Sequence, residues 1–598
     1  MDTKKLKVCS NKPCKVYSLV HRRQRYIPLH SRRQADFKKY ILISAKYMFI
    51  SRVHRSKKGT GCSMPKLDPF SAEAMKFNKN YPKITCDGID WVNCNKSECY
   101  VVKEILNKFS DISCYYRDIL YVNDGIHHVT RPSKISGGEK YTLNRSDHVK
   151  VSCSGSKLNS NKQRSQWRGM KAGFRPVATQ PIPPDRQDSY NVMILAFDST
   201  SHNGFIRKMP KSYKYLSQKA VFLNGYNIVG DGTSPALFAL LTGNAEDEIP
   251  DSRKRRKNNI YVDYRMFIFH VLKKYGYRTA YFEDSPGIGT FQYRFYGFYR
   301  QPADHYLRAF FTEKSKDITR FKNHSAKFCV GAMPQYQLLI NLSDEYFHFS
   351  LYLLGQLEDT LVLIMGDHGH RFQPFRETYQ GKIEERLPLM AILLPERLKR
   401  LRKNALTALK NNRDMITTPF DIHSTLLDVL DLKSEGNDYK VPESDVPRAM
   451  SLLETIPKTR SCSEAGVLPH WCACTKWFPV PQTSPMYRHV GTVLFEYIDD
   501  ISDEERLIRI IYLFLFQIIL SPGRGVYEAT MFYNTQSKSF TITPNDISRI
   551  SAYGDEPKCI SATHPHLNKY CYCKDKLQVA VLNESKTQQY TNEQMHPD

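Results

Sequence analysis

The sequence predicts an α/β fold: a mixed, largely parallel sheet between helices, with a cysteine-bearing region on either side. Three observations carry this expectation. Strand candidates at 192–197, 278–282, 361–365 and 389–394 alternate with helical stretches, and unbroken apolar runs of this length suit strands buried on both faces. Of fifteen cysteines, only Cys329 lies between 154 and 461. A length of 598 residues fits about three domains, or one large α/β domain with appendages. The apolar fraction of 41% with 12% aromatics supplies a core and excludes wholesale disorder.

In chain order, residues 1–61 read as a basic arm. Residues 1–60 hold 17 Lys and Arg against Asp2 and Asp36, a balance of +15, so the remaining 538 residues carry only +12 of the total +27. A basic arm on a modestly basic body, with no groove of interleaved aromatics, argues against a specific nucleic-acid partner. Residues 62–155 form a small cysteine-bearing region, and 156–188, rich in Ser, Pro and Gln, a linker. The α/β core spans 189–432, and 433–598 holds the second cysteine cluster. Cysteine-rich flanks around a cysteine-poor middle predict disulfides and an oxidising compartment, extracellular or secretory. Zinc is the rival, on the close pairs Cys472/Cys474 and Cys571/Cys573, although neither has C-x2-C spacing. Sequons at Asn95, Asn144, Asn323, Asn341 and Asn583 permit a glycoprotein. No apolar run reaches 18 residues, so no transmembrane span is expected. The 14-residue stretch Leu507–Leu520 reads as a buried helix or strand pair. No clear signal peptide opens the chain.

Three features carry chemistry. The first strand ends in Asp198, and strand 361–365 runs into Gly366-Asp367-His368-Gly369-His370-Arg371. Ligands of open α/β sheets sit at the carboxyl ends of strands, and carboxylates with an imidazole there suit a divalent metal. Either motif alone could equally cap a following helix. The third is Gly230-Asp-Gly-Thr233-Ser-Pro235, followed by an apolar run to Gly243. Pro235 in the first turn and Gly243 past the last predict a short helix over 234–242. Thr233 at its N-terminus is either an N-cap or, beside a metal, a nucleophile.

The order strand–Asp198, helix-opening Thr233, strand–Asp367-His368-Gly369 resembles the alkaline-phosphatase and sulfatase superfamily, and most closely its animal branch called domain of unknown function 229. The resemblance is carried by NVMILAFDSTS (191–201), NGYNIVGDGTSPALFALLTG (224–243), GYRTAYFEDSPGIGTFQYRFYGF (276–298) and MGDHGHRFQPFRETYQGKIEERLPLMAILLP (365–395). It extends to CSMPKLDPF (62–70), CSEAGVLPHWCAC (462–474) and ISRISAYGDEPKCI (547–560). It implies an alkaline-phosphatase-like sheet, with Asp198, Asp367 and His368 as ligands of a divalent metal (zinc, or alternatively Mn or Ca) and Thr233 as the nucleophile. Sulfatases of the superfamily use a formylglycine made from Cys in Cys-x-Pro-x-Arg. Here Thr233-Ser-Pro235-Ala-Leu237 has neither the Cys nor the Arg, so phosphate esters are expected before sulfate esters. Ala236 stands where related phosphodiesterases place a phosphate-holding Asn. Members of the branch also carry a Ser-His-Asp stretch for a second metal between the equivalents of 341–347 and 357–360. Only His348–Gln356 bridges these segments here. Asp344 and His348, in D-x3-H spacing, are the candidates for that second site.

His370, Arg371 and Lys382 follow the Asp-His-Gly turn and are candidates for holding a substrate anion, since Arg offers paired donors to phosphate. His423, on an amphipathic helix, reads as structural, and Glu384 and Glu385 as loop ion-pair partners. The expectation is therefore a metal-dependent hydrolase-like protein acting on phosphate or sulfate esters. The alternative is an inactive binding or structural glycoprotein that keeps the fold without a complete two-metal centre.

Overall fold

The computed structural model describes residues 8–9, 48–52, 61–558, 568–570 and 572–573, apart from 81–82, 159–162, 179–180, 250–251, 255–259, 265–266, 318–327, 340–357, 443, 482, 487–488, 492, 495–511, 521–524, 535–536 and 553. The chain divides into two units. The first comprises 1–78, 191–249 and 360–598, the second 79–190 and 250–359.

The first unit is built on a four-stranded sheet: β1 (Asn191–Phe197), β2 (Val221–Phe222), β3 (Thr360–Gly366) and β4 (Met390–Leu393), in the order β1-β3-β4-β2. From Leu361 to Met365 every side chain of β3 is at most 3% exposed. That matches a strand covered on both faces, and burial of such side chains contributes about 1.5–3 kcal/mol each. The largely parallel sheet is not what forms. β1 runs parallel to β3, but β3–β4 and β4–β2 are antiparallel. The reason lies in the connection. Gly366 N–H donates to Leu389 O at 2.8 Å, so the chain re-enters the sheet at the end where it left β3, and no crossover turns the strand round. An apolar run reports burial of both faces and says nothing of direction. The candidate strand at 278–282 also lies elsewhere: Ala280–Tyr281 pairs with His305–Tyr306 in the second unit.

The described helices of this unit include α1 (His202–Lys208), α2 (Thr233–Thr242), α3 (Tyr379–Arg386) and α4 (Pro419–Val429). The expected helix α2 forms, and ends on Gly243 in the left-handed region at φ 70°, where glycine pays no Cβ penalty. α4 opens with a Thr418/Asp421 capping box, and Asp421 is locked by fully buried Arg460 at 2.9 Å. As expected for a structural residue, buried His423 donates from Nδ1 to Leu240 O at 2.8 Å and ties α4 to α2. A second, antiparallel sheet takes in Tyr512–Leu520 and Gly525–Asn534. The stretch expected as a helix or strand pair is thus a strand over 512–520, while 507–511 lie outside the described residues. Among the described residues no helix is long and apolar enough to cross a membrane.

The second unit centres on an antiparallel sheet of Phe109–Asn123, Ile126–Val129, Ser133–Ser136, His148–Lys157 and Arg164–Ala172. One face packs a core that includes Trp91, Cys114, Tyr116, Val151 and Cys153. Among the described residues ten cysteines form five pairs: Cys62–Cys474, Cys86–Cys329, Cys94–Cys99, Cys114–Cys153 and Cys462–Cys472. Cys472 and Cys474 each stand in one of these pairs, and the sulfurs of Cys62, Cys462 and Cys474 lie within 4.8 Å of one another.

Candidate functional site

The site is assembled at the carboxyl ends of the parallel strands β1 and β3. Asp198 follows β1; Asp367 and His368 follow β3. Their ligand atoms lie within 4.8 Å of one another. Asp367 and His368 are buried (3% and 4% exposed), whereas the Asp198 side chain is 59% exposed, so the group is reached from solvent on one side. The turn between them is tight. At Gly369 a Cβ would stand 2.3 Å from the Glu384 carbonyl oxygen, so the Asp-His-Gly order has a steric cause.

The hydrogen bonds orient each ligand. Asp367 Oδ1 accepts from the Ser199 and His368 N–H groups at 2.9 and 2.8 Å, leaving buried Oδ2 with no hydrogen-bond partner. Asp198 Oδ1 accepts from Ser199 Oγ at 2.7 Å. His368 Nδ1 lies 2.8 Å from the Gly369 carbonyl oxygen. Since a carbonyl only accepts, Nδ1 carries the proton, and in the neutral ring the Nε2 lone pair faces Asp367 Oδ2 at 3.2 Å and Asp198 Oδ1 at 3.8 Å. Acceptors facing one another without a proton fit a bound cation, and a backbone carbonyl fixing the other ring nitrogen is the usual arrangement of a ligating His. A protonated ring would satisfy the same contacts.

Thr233 completes the group. The N-cap of α2 is Gly232 at φ 94°, with no side-chain cap bond. The Thr233 hydroxyl is therefore not spent on capping, and Oγ1 stands 3.4 Å from His368 Nε2. Arg371 lies against the same loop. Its guanidinium pairs with Asp231 and, from Nε, with Glu385 at 3.7 Å, and a Cβ on Gly232 would stand 2.4 Å from Nη1. Sequence reasoning passed over Ser199 and Asp231, which hold the two carboxylates and the arginine; their adjacency to Asp198 and Thr233 was the available signal.

His370 is exposed beside the group; partial burial, and then Arg207, lowers its imidazole pKa. Lys382 is not brought to the group. It is 3% exposed on α3, its Nζ has no hydrogen-bond partner and sits 4.6 Å from the Trp477 ring, and burial holds its amine well below the ordinary lysine range. Proximity in sequence suggested otherwise, but the inward face of a helix carries it away from the turn. Glu384 and Glu385 are ion-pair partners, on α3 rather than on a loop. Glu384 takes Arg207 and Ser201 Oγ at 2.9 Å each, tying α1 to α3, and Glu385 pairs with Arg376. Asp344 and His348 lie outside the described residues.

Fold and site thus define an α/β protein with two carboxylates, an imidazole and a threonine gathered at strand ends. The sequence profile of the family described as Protein of unknown function (DUF229) matches residues 78–350 and 340–510. The chain belongs to that family, which is sulfatase-like. The two matched segments overlap at 340–350. No curated protein matches the chain.

Proposed function

We propose that the chain is a metal-dependent hydrolase of phosphate esters, less favourably of sulfate esters, with Thr233 as its nucleophile. The observation that carries this is the approach of the Thr233 hydroxyl to within 3.4 Å of His368 Nε2, the same nitrogen that faces Asp367 and Asp198. A zinc ion, when held by Asp198, Asp367 and His368 (with Mn or Ca as alternatives), supplies positive charge that draws an anionic ester and favours a deprotonated hydroxyl. The chain's own residues do the rest. The first turn of α2 presents Thr233 together with N–H groups that favour an anion, Ser199 fixes both carboxylates, and Arg371 with its partners braces the Asp231–Gly232 turn. Threonine at 233, where the formylglycine route needs a cysteine, supports phosphate over sulfate. The paired cysteines suit an extracellular or secretory setting.

The test is hydrolysis of p-nitrophenyl phosphate, bis-p-nitrophenyl phosphate and p-nitrophenyl sulfate by the full chain with Zn or Mn. Phosphate-ester turnover should be lost in Thr233→Ala and partly kept in Thr233→Ser. Turnover unchanged in Thr233→Ala overturns the assignment. The second reading, an inactive binding or structural glycoprotein, is favoured by one observation: among the described residues only one carboxylate–imidazole ligand group is present. Metal binding without turnover of any ester would select it.

A further inference from the structure

The antiparallel sheet of the second unit has a face whose chemistry the hydrolase reading does not use. Its register fixes which residues share that face. Arg164, Gln166 and Arg168 stand opposite Ser156, Ser154 and Ser152. Ser154, Ser152 and Lys150 stand in turn opposite Ser113, Tyr115 and Arg117, and Ser136 and Lys134 continue the rows beyond Ser113 and Tyr115. The alternate residues Cys114, Tyr116, Val151 and Cys153 are buried in the core, whereas Arg164, Gln166, Arg168, Tyr115 and Lys134 are exposed.

The paired positions thus carry five cations (Arg164, Arg168, Lys150, Arg117 and Lys134), a field of serine hydroxyls and no carboxylate. Three acids approach from outside the rows. Asp111, in the bulge, bonds Ser110 Oγ at 3.1 Å, and Glu139 accepts from the Ser136 N–H at 3.1 Å. Glu313 takes Lys150 at 2.9 Å, with His127 and Lys316 on its other oxygen. Its helix, Arg308–Asp317, covers only the end near Ile119 and Met170. Arg164 and Arg168 are four residues apart on one strand, about 13 Å.

We propose that this face binds a sulfated polysaccharide. Guanidinium and ammonium groups meet the sulfates, and the serine hydroxyls pair with sugar hydroxyls. One aromatic, Tyr115 at 39% exposure, suffices to stack a sugar ring. A single-stranded nucleic acid wants a succession of aromatics, and a bilayer wants exposed apolar side chains; the face has neither. The proposal rests on this sheet's register and charge, and stands whether or not Thr233 is a nucleophile.

Heparin binding by the full chain tests it, with the basic arm controlled for. Arg164→Ser/Arg168→Ser/Lys134→Ser is compared with Lys4→Ser/Lys5→Ser/Lys7→Ser, which removes equal charge from the arm. The face variant should raise the Kd for heparin at least about tenfold and flatten the slope of log K against log salt by about two to three, close to one per lost contact. The arm variant should change Kd by about twofold or less, in keeping with screened, non-specific attraction. Equal losses in both, or none in the face variant, overturn the proposal. Ser152→Ala leaves the charge intact and spares Ser154, whose Oγ accepts from Arg164 Nη2 at 3.2 Å. It should weaken heparin about threefold, the order of one hydrogen bond, and leave a charge-matched single-stranded DNA unaffected. Equal effects on both polymers would mean that only charge is read, and would overturn the polysaccharide assignment.

Discussion

Glu528→Gln is expected to destabilise the first unit by about 3 kcal/mol, the low end for breaking a buried ion pair. Glu528 is fully buried on the strand Gly525–Asn534. Its oxygens take Arg376 at 3.0 and 3.3 Å, Arg386 at 3.1 Å and Gln517 at 3.0 Å. Burial pushes its carboxyl up, but Arg376, then Lys382 and Arg386, hold it well below the ordinary range, so it is ionised throughout neutral pH. Glutamine keeps the shape and one acceptor oxygen, yet leaves two buried guanidinium groups facing one remaining carboxylate, Glu385. Removing one partner of a buried pair costs about 3–5 kcal/mol, and the retained acceptor places this case at the lower figure. At a urea slope of about 3 kcal/mol/M, the unfolding midpoint should fall by about 1 M. Tryptophan fluorescence reports on this region, because Trp471 packs on His470 at 4.5 Å and Arg386 donates to the His470 carbonyl at 2.7 Å. A midpoint shift below about 0.2 M at unchanged slope would refute the view that this cluster is held by the Glu528 charge.

Gly232→Ala should cost at least about 1–3 kcal/mol, because an L side chain is strained in that backbone region; its φ is 94° and the new Cβ would meet the Arg371 guanidinium. Thermal unfolding checks this, and an unchanged midpoint would show that the loop relaxes freely. In the second unit, burial lowers the pKa of His148 to about 4. The unfolded chain therefore binds the extra proton, so stability is full above about pH 6.5 and is lost as pH falls towards 4, by about 3 kcal/mol in all. His148→Phe should flatten that slope in urea titrations between pH 4 and 7. Replacing both members of Cys114–Cys153, which are 39 residues apart, should cost about 4 kcal/mol by loop entropy, read as a loss of urea midpoint against the parent chain under non-reducing conditions.

Much of the first unit was legible in the sequence, for reasons particular residues show. The run Leu361–Met365 announced a strand covered on both faces, Pro235 and Gly243 bracketed α2, and the strand-to-loop positions of Asp198 and Asp367 announced the edge where they meet. Strand direction was not legible, because it is set by where the chain re-enters after α3 and not by the composition of β4. Nor was the place of Ala280–Tyr281, whose partner His305–Tyr306 is chosen by long-range pairing. Lys382 shows the limit for side chains. Its charge beside the Asp-His-Gly turn suggested an anion site, whereas helical periodicity turns it inward beneath Trp477. Arg371 was expected to hold a substrate anion; its carboxylate partners Asp231 and Glu385 come from two other segments and become visible only in three dimensions.

The central claim is that Asp198, Asp367 and His368 hold a divalent cation beside Thr233. Metal content by mass spectrometry, on full chain folded with Zn2+ and Mn2+ present and set beside Asp367→Ala and Thr233→Ala, tests it most directly. The account predicts bound zinc in the parent chain and in Thr233→Ala, and loss of the metal in Asp367→Ala. A parent chain that binds no metal, or an Asp367→Ala variant that binds as much as the parent, would contradict it.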